Sequence, residues 1–146
     1  GNAFLKADHI HKKFGLSCFS DDTGLFIESL GGKPGVKSAR FAGNNCDSED
    51  NISLVLKKLR GIENRKAFFR TVICLIVNGK VNYFHGEVKG QISKEKAGYK
   101  GFGYDPIFIP DGFNKTFSEF TLDEKNELSH RAIAVNKLVN FLNGYK

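Results

Sequence analysis

Residues 67–90, AFFRTVICLIVNGKVNYFHGEVKG, are the part of the sequence that decides the fold. Residues 67–77 are almost entirely apolar, β-branched or aromatic, which is typical of a β-strand. Asn78-Gly79 is a dipeptide that tight hairpin turns favour. In residues 80–90, the set Val81, Tyr83, His85 and Glu87 then alternates with the set Asn82, Phe84 and Val88, as in a strand with one buried face. The stretch therefore predicts two antiparallel strands rather than a βαβ unit.

The segments around this hairpin predict helices and short strands. Apolar residues recur at three- and four-residue steps in residues 2–14, so we expect an amphipathic helix there. A second helix is expected over residues 48–61. A third follows Thr121, whose spacing to Glu124 fits a capping box, and it is expected to break near residues 127–128. Short strands are expected at residues 16–20, 25–28 and 107–109, with loops at residues 31–45 and 91–106. These segments combine helices with strands.

Length and composition set the limits for function. The chain has 146 residues and neither an internal repeat nor a linker, so residues 1–146 are expected to form a single domain. No apolar run approaches the roughly 20 residues that span a bilayer, so no membrane partner is expected. The three cysteines, Cys18, Cys46 and Cys74, fit no zinc spacing, and free thiols in a reducing cytoplasm account for them. The net charge of +6 favours anionic partners, which include phosphorylated small molecules and nucleic acids.

The first polar cluster is Asp21-Asp22-Thr23-Gly24, which follows a short apolar run. Adjacent carboxylates repel each other, so proteins keep them mostly where a cation or a proton transfer requires them. A carboxylate here suits Mg²⁺ binding or the orientation of an attacking water. Since Asp, Thr and Gly are also turn residues, a solvated turn at the end of the strand is the alternative.

The second cluster is Gly101-Phe102-Gly103-Tyr104-Asp105-Pro106. Glycines on both sides of an aromatic residue let the ring and the backbone approach a flat ligand closely. An aromatic ring held in this way can stack on a base. Because Pro106 disfavours helical backbone at the residue before it, we expect Asp105 to be extended and its carboxylate to be held in one direction. A packed aromatic turn is the alternative.

The third cluster is Lys125 together with Ser129-His130-Arg131. Lys125 and Ser129 are four residues apart, so they share one face if the helix is continuous. Lysine and arginine are ligands for phosphates and carbonyls, and a histidine can donate to the edge of a base. The alternative is a solvated first turn followed by a helical His-Arg pair.

Taken in order, these clusters resemble the inosine triphosphate pyrophosphatase family, whose members hydrolyse non-standard purine nucleoside triphosphates. Each motif alone is weak, but six in register over nearly the whole chain are specific. The matching segments are NAFLKA (residues 2–7), DDTGL (21–25), LGGKPGV (30–36), SARFAG (38–43), GFGYDPIF (101–108), and EKN with SHR (124–126 and 129–131).

The resemblance implies cleavage between the α- and β-phosphates of ITP, dITP and XTP, which yields the monophosphate and pyrophosphate. It also implies a Mg²⁺ cofactor and a homodimer. The implied fold class is α/β, with a long, bent, mixed β-sheet flanked by helices, in two lobes with the substrate cleft between them.

The resemblance also implies roles for individual residues. Asp22 would be the acid at the metal and at the attacking water, and Asp21 would support it. Thr23 stands where the family usually has serine, and it keeps the hydroxyl group. The other implied substrate contacts are Lys6 and Lys125 at the phosphates or the substrate, Phe102, Gly103, Tyr104 and Asp105 at the base and sugar, and His130 and Arg131 at the base.

The chemistry of the base agrees with these roles. A 6-oxo purine presents a hydrogen-bond acceptor where adenine presents an amino donor. Donors such as His130 and Arg131 would pair with that oxygen and leave the amino group of adenine without a partner. Buried polar groups left unpaired can give strong discrimination.

The start of the chain departs from the family pattern. The chain contains no methionine, and family members begin with a strand and a Thr/Ser-x-Asn-x-x-Lys phosphate loop. We therefore expect that N-terminal strand and phosphate loop to be missing. The alternative to an active enzyme is a non-catalytic fragment that binds nucleotides or nucleic acid. Nucleic acid itself is not expected as a partner, because acids fill the expected site and the aromatic residues are not interleaved with a basic stripe.

Overall fold

The computed structural model describes residues 18–77, 79–101 and 103–144. Their strands form one five-stranded sheet in the order β2-β1-β3-β4-β5. The helix expected over residues 2–14 lies outside the described residues. The strands are β1 (Cys18–Ile27), β2 (Lys33–Gly35), β3 (Lys66–Val77), β4 (Lys80–Ile92) and β5 (Phe108–Pro110), and the α-helices are α1 (Ser48–Lys58), α2 (Leu122–Leu128) and α3 (His130–Gly144). The α/β class predicted from the sequence is confirmed.

The predicted hairpin forms the centre of the sheet as β3 and β4, which are neighbours. Along β4 the odd-numbered positions from 81 to 91 are exposed, while the even-numbered positions from 82 to 92 are partly or fully buried. This alternation confirms the pattern predicted from the sequence. At the two ends of the sheet, β1 pairs antiparallel with β2 and β4 pairs antiparallel with β5.

The chain divides into two compact units, each assembled from separate stretches of sequence. The prediction of a single domain stays a prediction. The described residues of the first unit are 18–23, 70–77, 79–87 and 129–144. Its core joins Ile73 and Leu75 of β3 to Ala134 and Leu138 of α3. An aromatic pair, Phe84 and Phe141, packs against this core, so α3 covers one face of the β3–β4 hairpin.

The second unit consists of residues 24–69 and 88–128, and it contains the larger core. Leu25 and Phe69 from the sheet pack with Ile52 of α1 and with a group of aromatic rings. The rings of Phe69 and Phe108 lie 4.5 Å apart between centroids, and those of Phe108 and Phe117 lie 5.4 Å apart. These contacts pack β5 and the segment around Phe117 against β3.

Strand β1 is continuous where the sequence predicted two strands with a polar turn between them. Asp21, Asp22 and Thr23 lie inside the strand, so the alternative interpretation of this segment as a solvated turn is wrong. Partners distant in sequence override the local turn preference. Thr23 Oγ1 lies 2.9 Å from Thr71 Oγ1 of β3. A Cβ atom added to Gly24 would lie 2.7 Å from the carbonyl oxygen of Gly35, so only glycine admits β2 this closely.

The helix boundaries differ slightly from the prediction. Helix α1 begins after Asp47, whose side chain accepts a hydrogen bond from the Asp50 amide at 3.0 Å, and it ends at Lys58. The capping box is confirmed, because Thr121 and Glu124 exchange side-chain-to-backbone bonds of 2.9 and 3.1 Å. Within the described part of the chain, no helix is long and apolar enough to cross a membrane.

The predicted break in the last helix is confirmed and lies at Ser129, between α2 and α3. The Ser129 hydroxyl accepts a hydrogen bond from the Ala132 amide at 3.1 Å and so begins α3. Because the helix is interrupted, Lys125 and Ser129 do not meet the condition of a continuous helix under which they would share one face.

Candidate active site

The predicted site residues fall in both units, and each group is described by itself. Lys6 and Phe102 lie outside the described residues. The first unit contains Asp21, Asp22, Thr23, His130 and Arg131, and the second contains Gly103, Tyr104, Asp105 and Lys125.

In the first unit, Asp21 and Thr23 meet Arg131. The two β1 side chains are two residues apart, so they point to the same face of the strand. Arg131, in the first turn of α3, places its Nη1 against the Asp21 carboxylate and its Nη2 at 3.5 Å from Thr23 Oγ1. The side chains of Arg131 and Asp21 are 47% and 38% exposed. The pair is therefore open to solvent, and the predicted contact of Arg131 with a base stays a prediction.

Asp22 lies between these residues in the strand, so its side chain points to the opposite face. It is half-buried, and no described residue forms a hydrogen bond or an ion pair with it. Its carboxylate thus has lone pairs available for water or a cation.

The donor set suits Mg²⁺ only in part. Among the described residues, no group of three or more His, Cys, Asp or Glu side chains could hold a metal ion. Mg²⁺ keeps several waters and takes only one or two carboxylates, and substrate phosphates complete its shell. A single open carboxylate such as Asp22 fits that mode of binding and does not fit an all-protein cage.

His130 is buried at the first position of α3 and is 6% exposed. A Cβ atom added to Gly86 of β4 would collide with the His130 carbonyl oxygen. The glycine therefore allows the start of α3 to approach the sheet closely. The predicted contact between the His130 ring and a base stays a prediction.

In the second unit, Asp105 holds Lys125. Lys125 Nζ of α2 lies 2.5 Å from Asp105 Oδ2, and their side chains are 18% and 5% exposed. Gly101 makes room for this carboxylate, because it has a φ of +81° and an added Cβ atom would collide with Asp105 Oδ2. The pair is a buried carboxylate that orients a partly accessible ammonium group.

The backbone at Asp105 differs from the prediction. Asp105–Ile107 is a 3₁₀ turn, and the expectation of an extended segment was wrong. The Ile107 amide donates to the Tyr104 carbonyl at 3.0 Å and closes the turn. This bond, together with the contact between Asp105 and Lys125, outweighs the local preference of a residue that precedes proline.

The Tyr104 hydroxyl is used inside the protein. It donates a hydrogen bond of 2.6 Å to the carbonyl oxygen of Ser38, and the residue is 5% exposed. Burial raises the pKa of this phenol well above its ordinary value. The group remains a donor through the neutral range, and it ties the GFGYDP segment to the SARFAG segment.

Two residues that were not among the predicted site residues, Ser38 of the motif itself and Asn51, hold the SARFAG segment in place. The Ser38 hydroxyl accepts from the Leu25 amide at 2.8 Å and donates to the Gly35 carbonyl at 2.6 Å. Asn51 of α1 bonds to the backbone of residues 39 and 42 at 2.9 and 2.8 Å. The available signal was a polar residue, Asn51, beside Ile52 on the buried side of an amphipathic helix.

Comparison with known proteins agrees with the predicted resemblance. The model of the Ham1 family matches residues 1–141. The dITP/XTP pyrophosphatase of Flavobacterium johnsoniae is 49% identical over 146 residues, which are 100% of this chain and 76% of that protein. The dITP/XTP pyrophosphatase of Bacillus subtilis is 46% identical, over 97% of this chain and 73% of that protein.

Solved structures of Ham1 proteins are also similar to this chain. The Ham1 protein of Staphylococcus aureus superposes with a TM-score of 0.95 at 40% identity, over 99% of this chain and 76% of that chain. A Ham1 protein of Coxiella burnetii gives 0.93 at 39% identity, over 99% and 76% of the two chains. The matches extend over the described parts of both units and over both groups of site residues. The chain belongs to the Ham1 family.

Proposed function

We propose that this chain hydrolyses non-standard purine nucleoside triphosphates, namely dITP, ITP and XTP, to the monophosphate and pyrophosphate. One observation carries the proposal. Relatives that are 49% identical over the whole chain bear the name dITP/XTP pyrophosphatase. The fold is shared with Ham1 structures at a TM-score of 0.95.

The proposed reaction breaks the bond between the α- and β-phosphates. A water oxygen forms the new bond to phosphorus, and the bridging oxygen leaves with pyrophosphate. Asp22 suits the general base, because its half-buried carboxylate has no partner among the described residues. Asp21 is held by Arg131, and we propose that it supports the charge balance around Asp22.

We also propose Mg²⁺ as the cofactor, with Asp22 as its protein ligand among the described residues. When bound, the ion would neutralise charge on the triphosphate, so that water attacks with less repulsion. Thr23 would supply a hydroxyl next to this carboxylate.

Contacts to the substrate follow the family resemblance. Lys125 is proposed as a ligand of the substrate, and its support by a buried carboxylate favours one fixed direction for its donors. Lys6 is proposed at the phosphates, Phe102, Gly103, Tyr104 and Asp105 at the base and sugar, and His130 and Arg131 at the base.

The alternative, a non-catalytic module that binds nucleotides or nucleic acid, is not favoured. The relatives that match this chain over its length are named as pyrophosphatases. No described feature supports a nucleic-acid interface over a site for a small substrate.

We further propose a cytoplasmic homodimer. Cys46 is exposed and is a free thiol, which agrees with a reducing compartment. Light scattering after size exclusion tests the dimer, because the mass in solution would be twice 16.2 kDa. A mass of one chain at micromolar concentration contradicts it.

The function is tested by pyrophosphate release from dITP and XTP in the presence of Mg²⁺, with dATP and dGTP as comparison substrates. We expect release selective for dITP and XTP, and loss of release in Asp22→Asn. The matched control is Asp111→Asn, which removes an exposed carboxylate of the second unit and keeps activity.

Two results would contradict the proposal. One is equal rates on dITP and dATP. The other is an Asp22→Asn variant that is as active as the parent chain.

A further inference from the structure

A groove of about 860 Å³ lies at the end of α1, and no part of the proposed reaction uses it. It belongs entirely to the second unit. Basic side chains from three places line it: Lys57 and Arg60 at the end of the helix, Arg65 before β3, and Lys94 after β4. Glu63 is the one acidic residue in the lining.

Among the described residues, no carboxylate is paired with a cation of the groove. Within the described residues, no ion pair involves Lys57, Arg60 or Lys94. Lys96, two residues beyond Lys94, is by contrast paired with Glu49. Like charges gathered around one cavity repel one another, and an anion bound between them removes that repulsion.

Arg65 gives the groove a fixed wall. Its Nε donates to the Ile92 carbonyl at 2.8 Å, and its Nη2 donates to the Ser93 carbonyl at 2.8 Å. Its Nη1 donates to the Leu59 carbonyl at 2.9 Å. Burial lowers the pKa of the guanidinium, and its hydrogen-bond partners are neutral carbonyls rather than carboxylates. The wall therefore carries a partly buried positive charge that no carboxylate of the described residues compensates.

The dipole of α1 explains only part of this arrangement. Basic residues are common in the last turn of a helix, where Lys57 lies. That effect gives no reason for Lys94, which follows β4 in the unit's second stretch of sequence, residues 88–128. Convergence of separate segments on one cavity is the property of a binding site.

We propose that this groove binds a small anion with two or more phosphate groups. Its volume lies within the ~300–1,000 Å³ typical of small-molecule sites. Lysine and arginine side chains are the usual ligands of phosphate. Leu56 and the exposed Ile62 add apolar surface at the groove, which suits an organic group attached to the phosphates. The proposal concerns binding alone and does not depend on the proposed catalysis.

The test is titration calorimetry of the whole chain with inorganic tripolyphosphate, in buffer without divalent ions. The variant Lys57→Gln/Arg60→Gln/Lys94→Gln removes the three open cations of the groove. We expect it to weaken binding at least about tenfold, because charge-assisted contacts to phosphate are lost. Lys58→Gln is the matched control, since it removes the next charge on the same helix outside the groove, and we expect a change of less than about twofold.

Amide chemical shifts measured by NMR locate the bound tripolyphosphate. Shifts concentrated at residues 56–65 and 93–95 support the proposal. Shifts concentrated at residues 103–105 and 125 instead, or equal affinity in the triple variant, overturn it. Tighter binding of a single-stranded oligonucleotide than of tripolyphosphate, measured at the same salt, also overturns the assignment to a small anion.

Discussion

The hydrogen bond from Tyr104 to Ser38 leads to a stability prediction that can be worked out in detail. Tyr104→Phe removes one hydroxyl group and leaves the ring in place. The carbonyl of Ser38, a residue 7% exposed, then loses a donor at 2.6 Å. A buried acceptor left without its donor costs about 1–3 kcal/mol. We therefore expect the free energy of unfolding at pH 7 to fall by about 1–3 kcal/mol.

The same substitution changes how stability depends on pH. Burial raises the pKa of Tyr104 in the folded chain, whereas the pKa of this phenol in the unfolded chain is about 10. Above that pH the unfolded state releases a proton that the folded state keeps, so the folded state loses stability as pH rises. The loss from one such group is up to about 1.4 kcal/mol for each pH unit above 10. Phenylalanine has no proton to release, so this contribution is absent in the variant.

Urea unfolding followed by far-ultraviolet circular dichroism measures both effects, since the chain contains no tryptophan to report by fluorescence. The parent chain and the variant are compared at pH 7 and at several values from pH 9 upward. Subtracting one curve of unfolding free energy against pH from the other removes the contributions of the lysines and the other tyrosines, which titrate in both proteins. Tyr99→Phe is the control, because this side chain is 92% exposed and its loss should change neither quantity.

A Tyr104→Phe variant that matches the parent chain within about 0.5 kcal/mol at pH 7 and shows the same alkaline slope would contradict both expectations. Such a result would mean that water or another donor satisfies the Ser38 carbonyl. A stability loss at pH 7 with an unchanged slope would refute the second part alone.

Three further predictions concern glycine positions and the pair of Asp21 with Arg131. Gly101→Ala should lower the free energy of unfolding by about 2–3 kcal/mol, because its φ is +81° and the methyl group would collide with a buried carboxylate. Gly103→Ala, at a φ of +60° with open space around it, should lower it by only about 1–2 kcal/mol. Equal losses in urea unfolding would contradict this difference. Gly86→Ala should lower the free energy of unfolding by about 3 kcal/mol or more, because backbone atoms at the start of α3 occupy the place of the added Cβ atom. A variant with the melting temperature of the parent chain would show that α3 can move away freely. Asp21→Asn should change the free energy of unfolding by only about 0–1 kcal/mol, since the pair with Arg131 is half exposed. The same substitution should lower pyrophosphate release, and unchanged release would remove Asp21 from the proposed site.

Local sequence signals predicted the elements that depend on neighbouring residues. The hairpin of β3 and β4 follows from strand-forming residues around a tight turn, and the alternation along β4 is confirmed in the structure. The capping box at Thr121 and the break before α3 are likewise properties of short segments. These predictions succeeded because each interaction closes within a few residues.

The errors arose where distant residues decide local geometry. Asp21-Asp22-Thr23 has the composition of a turn, yet it is part of a strand because partners 48 residues away and beyond hold it. Asp105 precedes a proline, yet it belongs to a 3₁₀ turn. In both places tertiary contacts outweigh preferences of about 1 kcal/mol or less.

The candidate site divides in the same way. The sequence by itself determined the family and the types of residue in each motif, since motif identity and order need no coordinates. Only the tertiary structure decided how those residues are used: Arg131 against Asp21, Lys125 against Asp105, and the Tyr104 hydroxyl on the Ser38 carbonyl. Each of these contacts joins residues between 20 and 110 positions apart. No local pattern encodes such a contact, because it exists only once the sheet, helices and loops have packed into their units.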